Sequence, residues 1–250
     1  MKRKVAAAIA CRNQGSRLYG KPLQNLDVEK GITILDNIIL CLKSIKFIDE
    51  IVLGISEGLE NERYKTIAKK HNISYIVGDE ENVLERLIMC GESVLATDIF
   101  RITSESPFLY YELVEKMWNK YIDNNLDALF MDYLIDGIGF EIISMKSLQL
   151  SNKKGLDIHK SEFCSLYIRE NIHLFNVEKV IPPKHLIRKD LRLTVDNPED
   201  LVLCRKIYKE FEFQAPRIKI EDIIIFLDNN PKLKELVSSY LDKGYSTMYK

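Results

Sequence analysis

The chain has 250 residues, 46% of them hydrophobic, with 36 Lys and Arg against 37 Asp and Glu and a formal net charge of -1. That length suits one sizeable core in a single domain, and the charge balance supplies no global field for nucleic acid or for an anionic membrane. Its apolar runs stay well short of the roughly 18 to 20 residues needed to span a bilayer.

The first predicted element is a strand over Val5–Ala10. Its basic flank imitates a signal peptide, but the six apolar residues run at once into Arg12 and Arg17. A cytoplasmic location is therefore expected. The five cysteines, at 11, 41, 90, 164 and 204, include no CxxC pair, so reduced thiols are expected rather than a structural zinc site. The four histidines show no i, i+4 pairing and are not assigned as metal ligands.

Further strands are predicted at Glu50–Ile55, Ile73–Val77, Asp98–Thr103, Ala128–Tyr133, Gly139–Ser144 and Leu191–Val195. They are mostly continuous in apolar character, the pattern of strands buried on both faces. One helix opens at Thr33, with Asp36 placed for a capping box. Others cover about Asn61–His71, Asn82–Gly91, Pro107–Asn124, Pro198–Phe211, Ile220–Leu227 and Pro231–Leu241. This alternation predicts a mostly parallel α/β sheet wrapped by helices. Residues 1–213 are expected to form the main body, with residues 214–250 adding two short helices to the same domain. Trp118, at helical spacing from Val114 and Tyr121, is assigned to the core or to an interface.

In such a sheet, ligands bind beyond the carboxyl ends of the strands. Directly after the first strand come Arg12, Gly15, Ser16, Arg17, Gly20 and Lys21. Glycines let backbone N–H groups approach a ligand and cations neutralise phosphate charge, which is what a triphosphate requires. The loop is neither a Walker A motif, since Pro22 follows Lys21, nor GxGxxG. The alternative is a solvated loop whose arginines pair with nearby carboxylates.

Two acids follow buried strands, Glu105 within Ser104-Glu105-Ser106-Pro107 and Asp196 before Asn197-Pro198. Mg²⁺ commonly takes one or two carboxylates together with substrate phosphates, and this pair could meet at one sheet edge. Asp196 could instead, or also, cap the following helix, with Glu199 and Asp200 complementing its dipole. Gly78 to Arg86 reads as an acidic, well-capped helix start, and Asp136-Gly137 as a hairpin turn.

These pieces, in this order, resemble the cytidylyltransferase family, the acylneuraminate and KDO cytidylyltransferases, and above all its SpsF-like branch. Arg12, Ser16, Arg17, Leu18, Gly20 and Lys21 match its nucleotide loop, and Gly78 to Arg86 a second element. Arg101-Ile102-Thr103 matches the strand before its G-D-C-P turn. Asp136, Gly137 and Glu141 match parts of D-G-x-D-x-E, and Leu193 to Leu201 its T-V-D-[TN]-P-E-D-L segment. The resemblance implies a Rossmann-like sheet with helices on both faces, of the nucleotide-diphospho-sugar transferase type. It further implies CTP-dependent activation of an acidic sugar or a sugar or polyol phosphate for surface glycan synthesis, with pyrophosphate released.

On that basis Arg17 and Lys21 are the expected catalytic cations. Ala10, Arg12, Gly15, Ser16, Asn82 and Arg86 are expected at the nucleotide, Glu105 and Asp196 at Mg²⁺, and Asp136 and Glu141 at the acceptor. A homodimer is expected as well. The acceptor side departs from the pattern: Glu105 stands for the usual Asp, Gly139 for the second Asp of D-G-x-D-x-E, and the segment Glu162 to Tyr167 lacks the family's His. An anionic acceptor would find Lys160, Arg169, Lys184 and Arg188 in the later half of the chain, although solvated surface is the other fate open to each. A nucleotidyltransferase for another base, a glycosyltransferase and a non-catalytic nucleotide-binding relative are the rival readings; no D-x-D follows a strand to favour the second.

Overall fold

The computed structural model describes residues 3–15 and 17–241. β1 (Val5–Cys11) is buried on both sides: Val5, Ala7, Ile9 and Cys11 join one hydrophobic cluster, Ala6 and Ala8 another. A short hairpin, β2 (Asn25–Asp27) and β3 (Ile32–Thr33), leads into α1 (Ile34–Lys43). The predicted capping box fixes that start, with Asp36 N–H donating to Thr33 Oγ1 at 3.0 Å and Thr33 N–H to Asp36 Oδ2 at 2.9 Å. There follow β4 (Glu50–Ser56), α2 (Glu62–His71), β5 (Ser74–Gly78), α3 (Val83–Ser93), β6 (Asp98–Thr103), α4 (Val114–Asp123), β7 (Ala128–Met131) and β8 (Glu141–Ser144). The later part comprises α5 (Met145–Lys154), α6 (Asp157–Lys160), α7 (Leu166–Glu170), β9 (Val177–Val180), α8 (Pro198–Glu210), α9 (Ile220–Asn229) and α10 (Pro231–Glu235).

Among the described residues, seven strands form one sheet in the order β5-β4-β1-β6-β8-β7-β9. Every pairing in it is parallel except those of β8, which runs antiparallel to both β6 and β7. The larger core cluster carries side chains of α1, α2, α4, α8 and α9 on one face, and the smaller carries α3, α5 and α7 on the other. The expected mostly parallel sheet with helices on both faces is the observed one. Within α9, Ile220, Ile223, Ile224 and Leu227 form an i, i+3, i+4, i+7 stripe buried in the larger cluster. Trp118 packs against that core, stacked on Phe47 with ring centroids 4.7 Å apart. Among the described residues no helix is long and apolar enough to cross a membrane.

Two sequence expectations change, and one strand lies where none was expected. Leu191–Val195 is no ladder strand; it is attached by a single parallel bridge between Asp136 and Arg192. Its apolar run reflects burial of Leu191, Leu193 and Val195, which a strand and a buried extended segment share. The sheet edge belongs instead to β9, whose Val-Glu-Lys-Val sequence carries too little apolar signal to stand out. The helix expected from Pro107 begins at Val114, because the preceding backbone is claimed by tertiary partners: Asn37 Nδ2 donates to Pro107 O at 2.8 Å and Tyr110 N–H to Ile138 O at 3.0 Å.

Asp36 does more than cap α1. Its buried carboxylate also accepts from His71 Nε2 and from Lys70 Nζ, the latter at 2.9 Å. Burial opposes the charge, but these donors and Thr33 outweigh it and lower the carboxyl from 3.8 to about 2. A folded-state value below the unfolded one stabilises the fold above the unfolded value, and the contribution is lost as the pH falls through about 2. Asp36→Asn should therefore cost roughly 2 kcal/mol at neutral pH. The deficit should hold down to about pH 4 and close toward pH 2, as urea midpoints measured along that range would report.

Candidate active site

The carboxyl ends of β1, β6 and β7 open onto a cleft of about 610 Å³, walled by the loop after β1 and, across from it, by the segment of α6 and α7. The loop is folded tightly on its own contacts. Gly20 takes φ +58° and donates to Asn13 O at 2.8 Å, closing the loop on itself. At Gly15 a Cβ would stand 2.7 Å from the Leu18 carbonyl oxygen, so only glycine fits that backbone. The base of the loop is pinned from α2 and the turn before it: Asn13 N–H donates to Asn61 Oδ1 at 2.8 Å and Tyr64 OH to Arg12 O at 3.0 Å. These supports went unremarked in the sequence because they are ordinary polar residues whose partners lie about fifty positions away.

Most of the expected site residues meet here. Ala10, Arg12, Gly15, Arg17, Lys21, Arg86, Glu105, Asp136, Glu141 and Asp196 all line the cleft. Ser16 lies outside the described residues. Asn82 stands outside the lining and serves as the cap of α3, accepting from Glu85 N–H at 3.0 Å and donating to Glu85 Oε2 at 2.9 Å. Arg86, expected at the base or ribose, is 1% exposed and donates to the carbonyls of Cys11 and Gly54 at 3.2 Å and of Glu80 at 3.3 Å. It ties the ends of β1 and β4 to the loop before α3, and burial lowers its pKa.

Lys21 and Arg17 converge on Asp196 Oδ1, at 2.6 and 3.3 Å. Glu105 lies beside them, because its carbonyl accepts from Val195 N–H at 3.0 Å. The two acids that follow separate strand-like runs are thus brought to one place. The cap of α8 is Asn197 paired with Asp200, which leaves the Asp196 side chain free to face the loop. Asp200 does more than favour the helix dipole, since it is buried and accepts from Arg192 Nε at 3.0 Å.

Arg192 is the residue that sequence reasoning missed. It is 3% exposed and binds Asp136, Asp196 and Asp200 together. The available signal was a lone cation in Leu-Arg-Leu-Thr-Val, where burial of a charge demands partners. Asp136, expected at the acceptor, is committed to this cluster, and its backbone C=O accepts from Leu193 N–H at 2.7 Å. Next to it Gly137 has φ +97° and lies so close to Leu193 and Thr194 that a Cβ would overlap their backbone. The pair is therefore no simple hairpin turn but the point where residues 191–196 dock.

The charges of the site bear on one another. Burial raises the Asp136 carboxyl to about 6, with Arg192 opposing and Asp196, Asp200 and Glu105 adding to the rise. Burial raises Glu105 as well, with Lys21 opposing and Asp196 adding. Asp196 is also penalised by burial, but Lys21, Arg192 and Arg17 hold it below its ordinary range. Among the described residues no group of three or more His, Cys, Asp or Glu forms a metal cage. Glu105 and Asp196 supply hard oxygen donors of the kind that hold Mg²⁺ when phosphates and water complete its shell.

Glu141 opens β8 and accepts from Arg101 and Arg169, both in the cleft wall. Of the later cations, only Arg169 lines the cleft; Lys160 pairs with Asp157, Arg188 with Asp190 and Asp228, and Lys184 is exposed.

Paired cations and carboxylates at the carboxyl edge of a mostly parallel sheet serve a reaction that depends on positioning and charge neutralisation. Fold and site together define an α/β nucleotidyltransferase. The chain belongs to the cytidylyltransferase family, whose profile matches residues 6–238. It is 28% identical to an uncharacterized protein of Methanocaldococcus jannaschii, over 97% of this chain and 98% of that one. It is 26% identical to the spore coat polysaccharide biosynthesis protein SpsF of Bacillus subtilis, over 89% of this chain and 93% of that one. A cytidylyltransferase structure from Leptospira borgpetersenii superposes with a TM-score of 0.83 at 22% identity, covering 93% of this chain and 97% of that one.

Proposed function

We propose that the protein transfers the CMP group of CTP to a small anionic acceptor, an acidic sugar or a sugar or polyol phosphate, and releases pyrophosphate. The observation that carries this reading is the convergence of Arg17 and Lys21, from the glycine loop, on Asp196 beside Glu105. In this reading Arg17 and Lys21 receive the triphosphate and stabilise the charge that develops on it, with Arg12, Gly15 and the end of β1 at Ala10 around the nucleotide. Glu105 and Asp196 hold Mg²⁺, which when bound neutralises phosphate charge. Arg192, behind Asp196, keeps that carboxylate ionised and oriented.

The Bacillus subtilis relative's part in spore coat polysaccharide biosynthesis supports a surface-glycan precursor as product. A homodimer is supported by the exposed Leu156, Ile172 and Leu174, and a cytoplasmic location by five buried cysteines without disulfides. Light scattering that reports a monomer would remove the dimer.

Calorimetry with CTP, UTP, GTP and ATP in the presence of Mg²⁺ tests the nucleotide, and pyrophosphate release across a panel of sugar acids and sugar or polyol phosphates tests the reaction. CTP should bind best. Arg17→Ala and Lys21→Ala should each weaken it about tenfold or more, the loss of a charge-assisted hydrogen bond worth roughly 1.5 to 3 kcal/mol. Equal affinity for all four nucleotides, or full affinity in both variants, would overturn the assignment.

A further inference from the structure

The wall facing the nucleotide loop is built from fixed charges. Because β8 runs antiparallel, Glu141 at its start lies opposite Arg101 of β6 and Phe130 of β7. Both its carboxylate oxygens are occupied: Oε2 accepts from Arg101 Nη1 at 2.7 Å, and Oε1 from Ser165 Oγ at 2.7 Å and Arg169 Nη2 at 3.2 Å. Burial works against that charge, yet the two guanidiniums hold the carboxyl down at about 2. Glu141 is thus an anchor for two arginines rather than a contact for the acceptor.

Each arginine is held from a second side. Arg101 Nη2 donates to Glu162 O at 2.9 Å. Arg169 Nη1 donates to Asp132 Oδ1 at 2.8 Å, its Nε to Ser165 Oγ at 3.2 Å, and its guanidinium lies 4.0 Å over the Phe130 ring. Both side chains nevertheless keep surface in the cleft, at 19% for Arg101 and 14% for Arg169. A guanidinium has five N–H donors, and the bonds named leave some unused on each. The orientation of both groups is fixed in advance, so an arriving anion does not have to immobilise them. The same cleft has room there. At Gly139, two residues before Glu141, a Cβ would meet only Leu134 Cδ1, at 3.7 Å. Ile158, Phe163 and Leu166 supply apolar surface for a carbon skeleton.

Resting on the nucleotidyltransferase reading of the cleft, the geometry points to Arg101 and Arg169 as the seat of the acceptor's anionic group, a carboxylate or a phosphate monoester, with Glu141 as the positioning residue for both. The two cations hold the acceptor by that anion, while its attacking oxygen faces the nucleotide bank. This also accounts for Arg169, alone of Lys160, Arg169, Lys184 and Arg188, reaching the cleft.

The test is calorimetric titration of the CTP-saturated protein with two probes, glycerate and glycerol 3-phosphate. At least one should bind, and the stronger identifies the anion. Arg101→Gln and Arg169→Gln should each weaken it at least tenfold while CTP affinity stays within twofold, a split that a merely structural role would not produce. Gly139→Leu touches none of these ion pairs and fills the open side of the chamber; it should weaken the same probe at least tenfold and guards against misfolding of the arginine variants. Unchanged probe affinity in all three variants, or no probe binding to the CTP-loaded wild type, overturns the assignment. Failure of CTP itself to bind overturns the nucleotidyltransferase reading instead, and the probe titrations repeated without nucleotide then still decide whether the arginine pair takes an anion.

Discussion

Asp196→Asn should tighten CTP binding about tenfold in magnesium-free buffer, or 1.4 kcal/mol, and abolish the further tightening that Mg²⁺ brings. The Asp196 carboxylate holds Lys21 at 2.6 Å and Arg17 at 3.3 Å, so it competes with the triphosphate for the same two cations. It also repels the phosphates directly. Two unit charges about 4 Å apart interact by roughly 4 kcal/mol at an effective dielectric constant near 20. Arg17 is 47% exposed, and solvent screening reduces that figure to the smaller effect expected. Asparagine keeps the shape and removes the charge. A cation bound at Glu105 and Asp196 would do the same to the wild-type carboxylate, releasing Lys21 and Arg17 to the nucleotide. Calorimetry with and without Mg²⁺ separates the two effects. The same CTP affinities as wild type under both conditions would leave Asp196 a structural residue.

Arg192→Met should unfold more easily than wild type by about 3 to 5 kcal/mol at neutral pH, the usual cost of leaving buried charges uncompensated. Methionine fills much of the volume but leaves Asp136, Asp196 and Asp200 facing one another without their shared cation. The pH dependence has a definite sign. Asp136 already titrates near 6 with Arg192 present, and its loss raises that value further. A carboxyl whose folded-state pKa exceeds its unfolded one destabilises the fold at high pH, and the penalty is relieved as the pH falls through the folded value. The deficit should therefore be greatest near pH 8 and shrink toward pH 5. Asp136→Asn added to Arg192→Met should recover part of it. A deficit that does not change with pH would mean that lost packing, not lost charge compensation, governs the effect.

Much of the fold was legible locally. β6 lies where the run Asp98–Thr103 predicts it, and β1 and β4 each extend one residue past their predicted ends. The capping box at Thr33 and Asp36 formed as its spacing requires, because both partners lie within one helical turn. The nucleotide loop was visible because cations and glycines crowd a short stretch, and its working conformation depends on local backbone at Gly15 and Gly20. What stayed hidden depends on partners far along the chain. β9 is a strand through its pairing with β7 rather than through its own composition. Residues 191–195 look like a strand and are buried like one, yet β9 occupies the place beside β7.

The same division holds within the site. Sequence by itself determined which residues carry charge at the strand ends, since burial of the strands pushes polar side chains to their carboxyl edge: Arg12, Arg17, Lys21, Glu105 and Asp196. It could not determine how those charges are shared, because an ion pair depends on distance and dielectric, and neither is a local property of the chain. Tertiary structure alone decided that Arg192 gathers three aspartates and that Arg86 ends among backbone carbonyls. It also decided that Glu141, turned back to the cleft by the one antiparallel strand of the main sheet, holds two arginines in place.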